Sequence, residues 1–360
     1  MFTFPKSFRF DEFFLKTEMD PDLALKIPKI ELHLHLDGSL SPEFIFEEAR
    51  KQNMELPITD VKDLRRYLQD QKRQAIFKNA NKVGQGQNWS IFDFCNQFLQ
   101  TFNQLELATM DLCNRLADFN VVYAEIRFCP ALHTKQNLTA EQAVQAVLSG
   151  FRKQNRVEGG IIICALRSKD SKHAIEMAEL AGKYLQTRKN DPFGVIGFDV
   201  AGDEGSFPIN TRLNDMTKGI EKAQELKVPV TVHAGEWPEK FGSLENVKFA
   251  IDELKVQRIG HGIALRSDLE YLQKLQDKVT IEVCLTSNIG YGFKVKSYEE
   301  HPVKMFYEHS VAFSLSMDNW LLSGDMEHQP DPNHELIRAA ELIGLPGMTF
   351  FNTSFDIAKR

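Results

Sequence analysis

Short apolar, β-branched runs recur along the chain, and each is followed by a longer stretch whose apolar positions return every three or four residues. The runs are Lys29 to Leu36, Val121 to Phe128, Gly160 to Leu166, Val195 to Val200, Val228 to His233, Arg258 to His261, Val279 to Cys284 and Val311 to Ser316. Most lack the polar alternation of a half-exposed sheet, and a continuous apolar run suits a strand covered on both faces. Such strands alternating with helices are the signature of parallel βα units, and eight of them predict a closed (β/α)8 TIM barrel of α/β class. Helix starts agree with this. Thr139-Ala-Glu-Gln142 is a capping box ahead of an apolar-periodic segment, and Ser41-Pro-Glu43 places a capping side chain before a proline at the first helical position. The interval from about residue 40 to 120 is too long for one crossover helix, so extra helices inserted after the first strand are expected to cap one end of the barrel. No linker rich in Pro, Gly or Ser divides the chain and no solenoid repeat is present, so residues 1–360 read as one domain.

Composition narrows the partners more than the fold. Of 360 residues, 42% are hydrophobic and 26% charged, enough apolar material for a large core. A net charge of -7 with interspersed signs argues against nucleic acid or an anionic membrane as the main partner and points to a small molecule. Cys95, Cys113, Cys129, Cys164 and Cys284 form an odd set without CxxC spacing, which reads as free, mostly buried thiols in a reducing compartment. Residues 1–14 carry early charges and no long apolar run, unlike a secretory signal or membrane anchor, so a cytoplasmic location is expected.

On a strand, successive side chains face opposite sides. In Ile30-Glu-Leu-His-Leu-His-Leu36 the three leucines therefore share one face while His33 and His35 share the other, aimed into the lumen near the strand's C-terminal end. Alone, such a pair fits hydrogen-bonded or surface histidines at least as well as a metal site. The other histidines change the balance: His233 closes the fifth run, His261 closes the sixth, and Asp318 follows the eighth. Strand-end histidines with an aspartate supply N and O ligands suited to Zn²⁺, leaving a position open for water. The fourth run holds no lysine, the residue that in modified form generally bridges the ions of two-metal hydrolases in the related barrel group, so a single ion is favoured. The HxE and PCxxC signature of the cytidine-type deaminases is absent.

A divalent cation lowers the pKa of bound water from 15.7 to about 7, which supplies a nucleophile at neutral pH. Displacing an amino group from an aromatic ring also calls for a donor to the ring nitrogen and a proton for the departing ammonia. Glu236 suits the first task, three residues after His233 and across the small Ala234 and Gly235; it also fits as a carboxylate starting the next helix. His261, between Gly260 and Gly262, has room to orient and deprotonate the water, and equally fits a fourth ligand or a packed core residue. Asp318 would both bind metal and accept a hydrogen bond from that water.

Taken together the motifs resemble those of the adenosine deaminase family from Ile27 to about Ser323: Pro28-Lys-Ile-Glu-Leu-His-Leu-His-Leu-Asp-Gly-Ser39, Tyr123-Ala-Glu-Ile-Arg-Phe128, Ala201-Gly-Asp-Glu204, His233-Ala-Gly-Glu236, Arg258-Ile-Gly-His-Gly262, Cys284-Leu-Thr-Ser-Asn288 and Ser314-Leu-Ser-Met-Asp-Asn319. The resemblance implies a (β/α)8 barrel, one zinc ion, and hydrolysis of adenosine or 2′-deoxyadenosine to the inosine product and ammonia, a reaction of purine salvage. It makes His33, His35, His233 and Asp318 the zinc ligands, Glu236 the proton donor to purine N1, and His261 the water-activating base. His35 and Asp37 would face the substrate, Asp37 at the ribose hydroxyls, and the Gly202 backbone N–H would meet purine N3. Ser90 to Phe98 resembles the helix that lids the sugar, with Ile91, Phe94 and Phe98 as contacts, although an amphipathic helix packed on the core explains that stretch equally well.

Three positions depart from the family pattern. Asn319 stands where many members carry a second aspartate contacting purine N7; an amide donates there at any pH, so the exchange is chemically tolerable. Leu285 replaces a frequent proline, and the chain stops at Arg360, soon after Phe351 to Phe355, where relatives usually continue into a final helix. The rival readings are a deaminase of adenine, N6-methyl-AMP or a 5′-modified adenosine, and a nucleoside-binding relative without turnover. A nucleotide needs cations near its 5′ end, and the sequence around Asp37 and the lid is not basic, which favours a neutral nucleoside.

Overall fold

Eight strands run parallel in one sheet in chain order: β1 (Lys29–His35), β2 (Val121–Phe128), β3 (Glu158–Leu166), β4 (Val195–Ala201), β5 (Val230–Ala234), β6 (Arg258–His261), β7 (Thr280–Val283) and β8 (Ala312–Leu315). Every predicted run forms a strand, with ends displaced by a residue or two. The sheet closes through a bridge between Leu34 and Asp318, where His35 N donates to Asp318 O at 2.8 Å and Asp318 N donates to His33 O at 2.9 Å. The molecule, seen in a computed structural model, is described over residues 19–79, 89–185, 193–207, 209, 216–238, 243–276, 278–292 and 294–344; the expectations for the N-terminal segment and for the end of the chain lie outside these residues.

Ahead of the barrel lies α1 (Pro21–Lys26), and between β1 and β2 the chain forms α2 (Pro42–Lys51), α3 (Leu64–Asn79), α4 (Trp89–Asn96) and α5 (Phe102–Asp118). The later crossovers carry α6 (Ala140–Lys153), α7 (Ser171–Lys183), α8 (Met216–Glu225), α9 (Ser243–Lys248), α10 (Leu269–Gln273), α11 (Leu285–Ile289) and α12 (Val303–Glu308), and α13 (Pro332–Ile343) follows β8. The predicted caps are made: Ser41 accepts from Phe44 N with Pro42 behind it, and Thr139 and Gln142 form a reciprocal box. α3 reaches across the C-terminal rim, where Arg65 donates to the carbonyls of Trp320 (3.0 Å), Leu321 (2.7 Å) and Ser323 (2.9 Å) beyond β8. These bonds satisfy carbonyls that irregular backbone would otherwise leave unpaired, and they hold the inserted helices over the mouth of the barrel.

The core lies between the strands and the helical shell. Leu32, Leu34 and Leu36 are buried, as the alternation in β1 requires, while His33 is fully buried and His35 partly so on the opposite face. All five cysteines are buried and unbridged. Among the described residues no helix is long and apolar enough to cross a membrane.

Candidate active site

The ends of β1, β5 and β8 bring three sequence-distant groups together. His33 and His35 project from β1, Asp318 follows β8, and His233 comes from the end of β5; one ligand atom of each lies within 4.8 Å of all the others. Two neighbouring backbones are held in the left-handed region, His261 at φ 67° and Asp318 at φ 65°. For residues with a Cβ this conformation costs on the order of 1–3 kcal/mol each and persists where surrounding contacts enforce it, commonly at functional sites. Gly260, beside His233 in the β5–β6 register, leaves the space in which His33 sits: a β-carbon there would stand 2.9 Å from His33 Cε1.

Four ligands around an ion at bonds of about 2.0–2.1 Å in tetrahedral array lie about 3.3–3.4 Å from one another. His35 Nε2 is 3.2 Å from His233 Nε2, His33 Nε2 is 3.6 Å from Asp318 Oδ1, and His35 Nε2 is 3.5 Å from the same oxygen. Such a cluster of imidazole nitrogens on one carboxylate fits a bound cation. His33 Nε2 is also a buried nitrogen with no hydrogen-bond partner among the described residues. Its Nδ1 faces Glu282 Oε2 at 2.7 Å, and His233 Nδ1 faces Asp199 at 3.0 Å, so each ring donates backwards to a carboxylate and turns its Nε2 lone pair to the common centre.

Arg127 lies beneath, fully buried, donating to Asp199 Oδ2 (3.1 Å), Glu282 Oε2 (2.8 Å) and Leu32 O (2.7 Å). Arg258 pairs with the other Glu282 oxygen at 2.8 Å. Burial opposes charge on Glu282, but the two guanidiniums outweigh it and hold the carboxyl well below its ordinary range. At Asp318 burial is likewise outweighed, by His33, His261 and His35, and Ser287 Oγ donates to its Oδ2 at 2.6 Å.

Glu236 and His261 stand beside this cluster, His261 Nε2 being 3.5 Å from Glu236 Oε1. Burial works against charge on Glu236, yet His261 and the Lys294 ammonium, which donates to Oε1, bring the carboxyl down to about 2. Burial brings His261 down to about 3. A chain of donors sets its ring: Val303 N donates to His301 Nδ1 (3.1 Å), His301 Nε2 to Asn288 Oδ1 (3.0 Å), and Asn288 Nδ2 to His261 Nδ1 (2.9 Å). The neutral His261 therefore carries its proton on Nε2, the nitrogen facing the cluster.

A cavity of about 450 Å³ opens onto these groups, within the range that suits a small organic ligand. His35, Asp37, Ile91, Gly202, His233, Glu236, His261, Asp318 and Asn319 line it. Gly202, at φ 105°, holds a backbone conformation that side chains rarely adopt. Burial raises Asp37 to about 6. Phe94 and Phe98 lie elsewhere, as the alternative of a helix packed on the core allows. Phe98 is fully buried beyond the end of α4, and Phe94 packs edge-on against it at 5.5 Å and against Tyr67 at 6.3 Å; neither lines the cavity. The face of α4 turned to the pocket is Trp89, Phe92, Asp93 and Asn96, the i, i+3, i+4, i+7 set, with Ile91 at its edge.

The sequence reading missed Arg127, Asp199, Glu282, Ser287, Asn288 and Lys294. Two left a signal, since a lone charge inside an otherwise apolar strand must find a buried partner: Asp199 in β4 and Glu282 in β7; Arg127 shares β2 with Glu125.

Comparison with known proteins agrees with this architecture. The family described as adenosine deaminase matches residues 28–342. The adenosine deaminase of Enterococcus faecalis is 35% identical over 312 residues, spanning 85% of this chain and 84% of the relative. Among solved structures, the Arabidopsis N6-mAMP deaminase superposes with a TM-score of 0.74 at 22% identity, over 93% of this chain and 94% of that one. An adenine deaminase from Arthrobacter aurescens gives 0.68 at 23% (93% and 100%), and an amidohydrolase from Burkholderia ambifaria with bound Zn gives 0.70 at 17% (91% and 86%). Below 25% identity these likenesses speak for the barrel fold alone. The chain belongs to the adenosine deaminase family, hydrolases that act on C–N bonds.

Proposed function

We propose that this protein is a one-zinc hydrolytic deaminase converting adenosine and 2′-deoxyadenosine to inosine and 2′-deoxyinosine with release of ammonia, its catalytic unit being the single barrel with its helical cap. The observation that carries the reading is four N and O ligands at the spacings of one coordination shell, beside a buried carboxyl–imidazole pair on the wall of a cavity of about 450 Å³. His33, His35, His233 and Asp318 would hold the ion, which when bound supplies the Lewis acidity that makes water a nucleophile at neutral pH.

His261 orients the attacking water by donating from Nε2. Because Asn288 occupies Nδ1, the neutral ring offers the water no lone pair, so the water's proton passes to the Asp318 carboxylate, which hands it on to the departing amino group as ammonia leaves, rather than to His261, the base that the resemblance implies. Glu236 gives a proton to purine N1. His261 and Lys294 keep it ionised in the free protein, so the acid form needs a proton taken up from solvent as the substrate binds. Gly202 N–H meets N3, the Asn319 amide meets N7, and Asp37 binds the ribose.

Two pocket lysines are already engaged within the protein. Lys72 donates to Leu322 O (3.0 Å) and Gly324 O (2.9 Å) and is brought down to about 7 by burial, and Lys294 serves Glu236. This supports a neutral nucleoside. Lys169, exposed at the rim of the cavity, favours the second reading, a 5′-phosphorylated substrate such as the N6-methyl-AMP suggested by the name of the Arabidopsis relative. Turnover of adenosine, 2′-deoxyadenosine, adenine and N6-methyl-AMP by the zinc-loaded protein decides between them. We expect the highest kcat/KM for the two nucleosides; a higher value for N6-methyl-AMP overturns the nucleoside assignment, and no turnover of any of the four overturns the enzymatic one.

A further inference from the structure

Glu204 lies in the turn after β4, two residues beyond Gly202, fully buried, and none of the steps above uses it. Its Oε1 accepts the Gly235 N–H at 2.8 Å and the Asn246 side-chain amide at 3.0 Å. Its Oε2 accepts the N–H groups of Glu236 at 2.9 Å and Trp237 at 3.2 Å. Burial pushes the Glu204 carboxyl up, against Arg167 and the backbone donors, but the four donors occupy the acceptor positions of both oxygens, an arrangement that fits the ionised group. Arg167, also fully buried, supplies a neighbouring positive charge and donates to the His233 carbonyl. The three N–H groups are successive in the chain, and they can converge on one anion because Gly235 turns left-handed, at φ 71°, directly after β5.

We infer that Glu204 is a positioning residue for Glu236: it ties the turn that presents Gly202 to the turn that presents Glu236, so that the N3 and N1 positions of the purine are met by one rigid unit. The idea rests on the proton-donor role proposed above for Glu236. A carboxylate gripping backbone on both sides of the donor's Cα leaves that side chain only its own torsions. A shift of about 1 Å in such a group can cost about 100-fold in rate.

The test is a double-mutant cycle of Glu204→Gln and Glu236→Gln, read as kcat and KM for adenosine together with zinc content and circular dichroism. In Glu204→Gln an NH₂ faces backbone donors and half the clamp is lost. If Glu204 acts through Glu236, kcat falls about 100-fold with KM and zinc content little changed, and adding Glu204→Gln to Glu236→Gln lowers the residual rate less than about threefold. A wild-type rate, loss of zinc, or the same loss in both backgrounds overturns the inference. Should Glu204→Gln fail to fold, Asn246→Ala, which removes one donor and no charge, is carried through the same cycle: a loss confined to the Glu236 background upholds the role, and no loss or equal losses refute it. Near-normal turnover by Glu236→Gln would instead overturn the donor assignment itself, a result separable from additive losses.

Discussion

Replacing Arg127 by methionine removes the cation that holds both carboxylates behind the metal-site imidazoles. The side chain is fully buried and makes three hydrogen bonds, to Asp199, Glu282 and the Leu32 carbonyl. Glu282 keeps Arg258 on its other oxygen and Thr231 Oγ1 at 2.9 Å, so Asp199 bears the larger loss, left with the His233 ring and the Cys164 thiol at 3.5 Å. Breaking a buried pair by deleting one partner costs about 3–5 kcal/mol, because the other charge stays desolvated. That is a large share of the roughly 5–15 kcal/mol that keeps a domain folded. Misoriented supporting carboxylates should also weaken metal binding about 10–100-fold. The assay is urea denaturation of the metal-free protein alongside chelator competition for zinc. We expect the midpoint to fall by the equivalent of several kcal/mol and zinc to be lost at correspondingly lower chelator concentration. A variant with wild-type stability and wild-type zinc affinity would refute the claim that this network orients the ligands.

Glu236→Gln should lower the deamination rate about 10²–10⁴-fold while leaving zinc bound, checked by steady-state kinetics and metal analysis. Glu335, buried on α13, accepts from Thr286 N at 3.2 Å and is raised to about 8, chiefly by burial. An acid raised on folding lets the unfolded chain release its proton first, so stability falls as pH rises from about 4.5 to about 8. Glu335→Gln should therefore match or trail the wild type at pH 4 and exceed it at pH 8 by on the order of 4 kcal/mol, measured by urea unfolding at both pH values; an unchanged gap across that range would count against a protonated Glu335. Asn319→Ala should raise KM for adenosine about tenfold by removing the proposed N7 donor, and unchanged kinetics would remove Asn319 from the substrate site.

The order of strands and the candidate metal-binding cluster were legible because both rest on short-range pattern. Alternation put His33 and His35 on one face of β1, and the termination of apolar runs put His233, His261 and Asp318 at strand ends. What holds the ligands was not legible in the same way. Arg127 meets Asp199 across 72 residues and Glu282 across 155, and only the closed order of the sheet brings β2, β4 and β7 onto one buried layer. α4 shows the limit of periodicity from the other side: its apolar stripe predicts a buried face but not which neighbour buries it, so Phe94 and Phe98 went to the core while Trp89 and Phe92 went to the cavity. The orientation of His261 depends on an amide and a second imidazole, Asn288 and His301, whose roles come only from the hydrogen bonds they make.

In the function proposed, one zinc ion is held by four side chains and is required for deamination of a purine nucleoside. The most direct measurement is a titration of the metal-stripped protein with Zn²⁺, following the loss of adenosine absorbance at each step. Activity should rise in proportion to added zinc and level off at one equivalent per chain. Turnover that is undiminished without metal, or that levels off only at two equivalents, would rule out a single essential zinc.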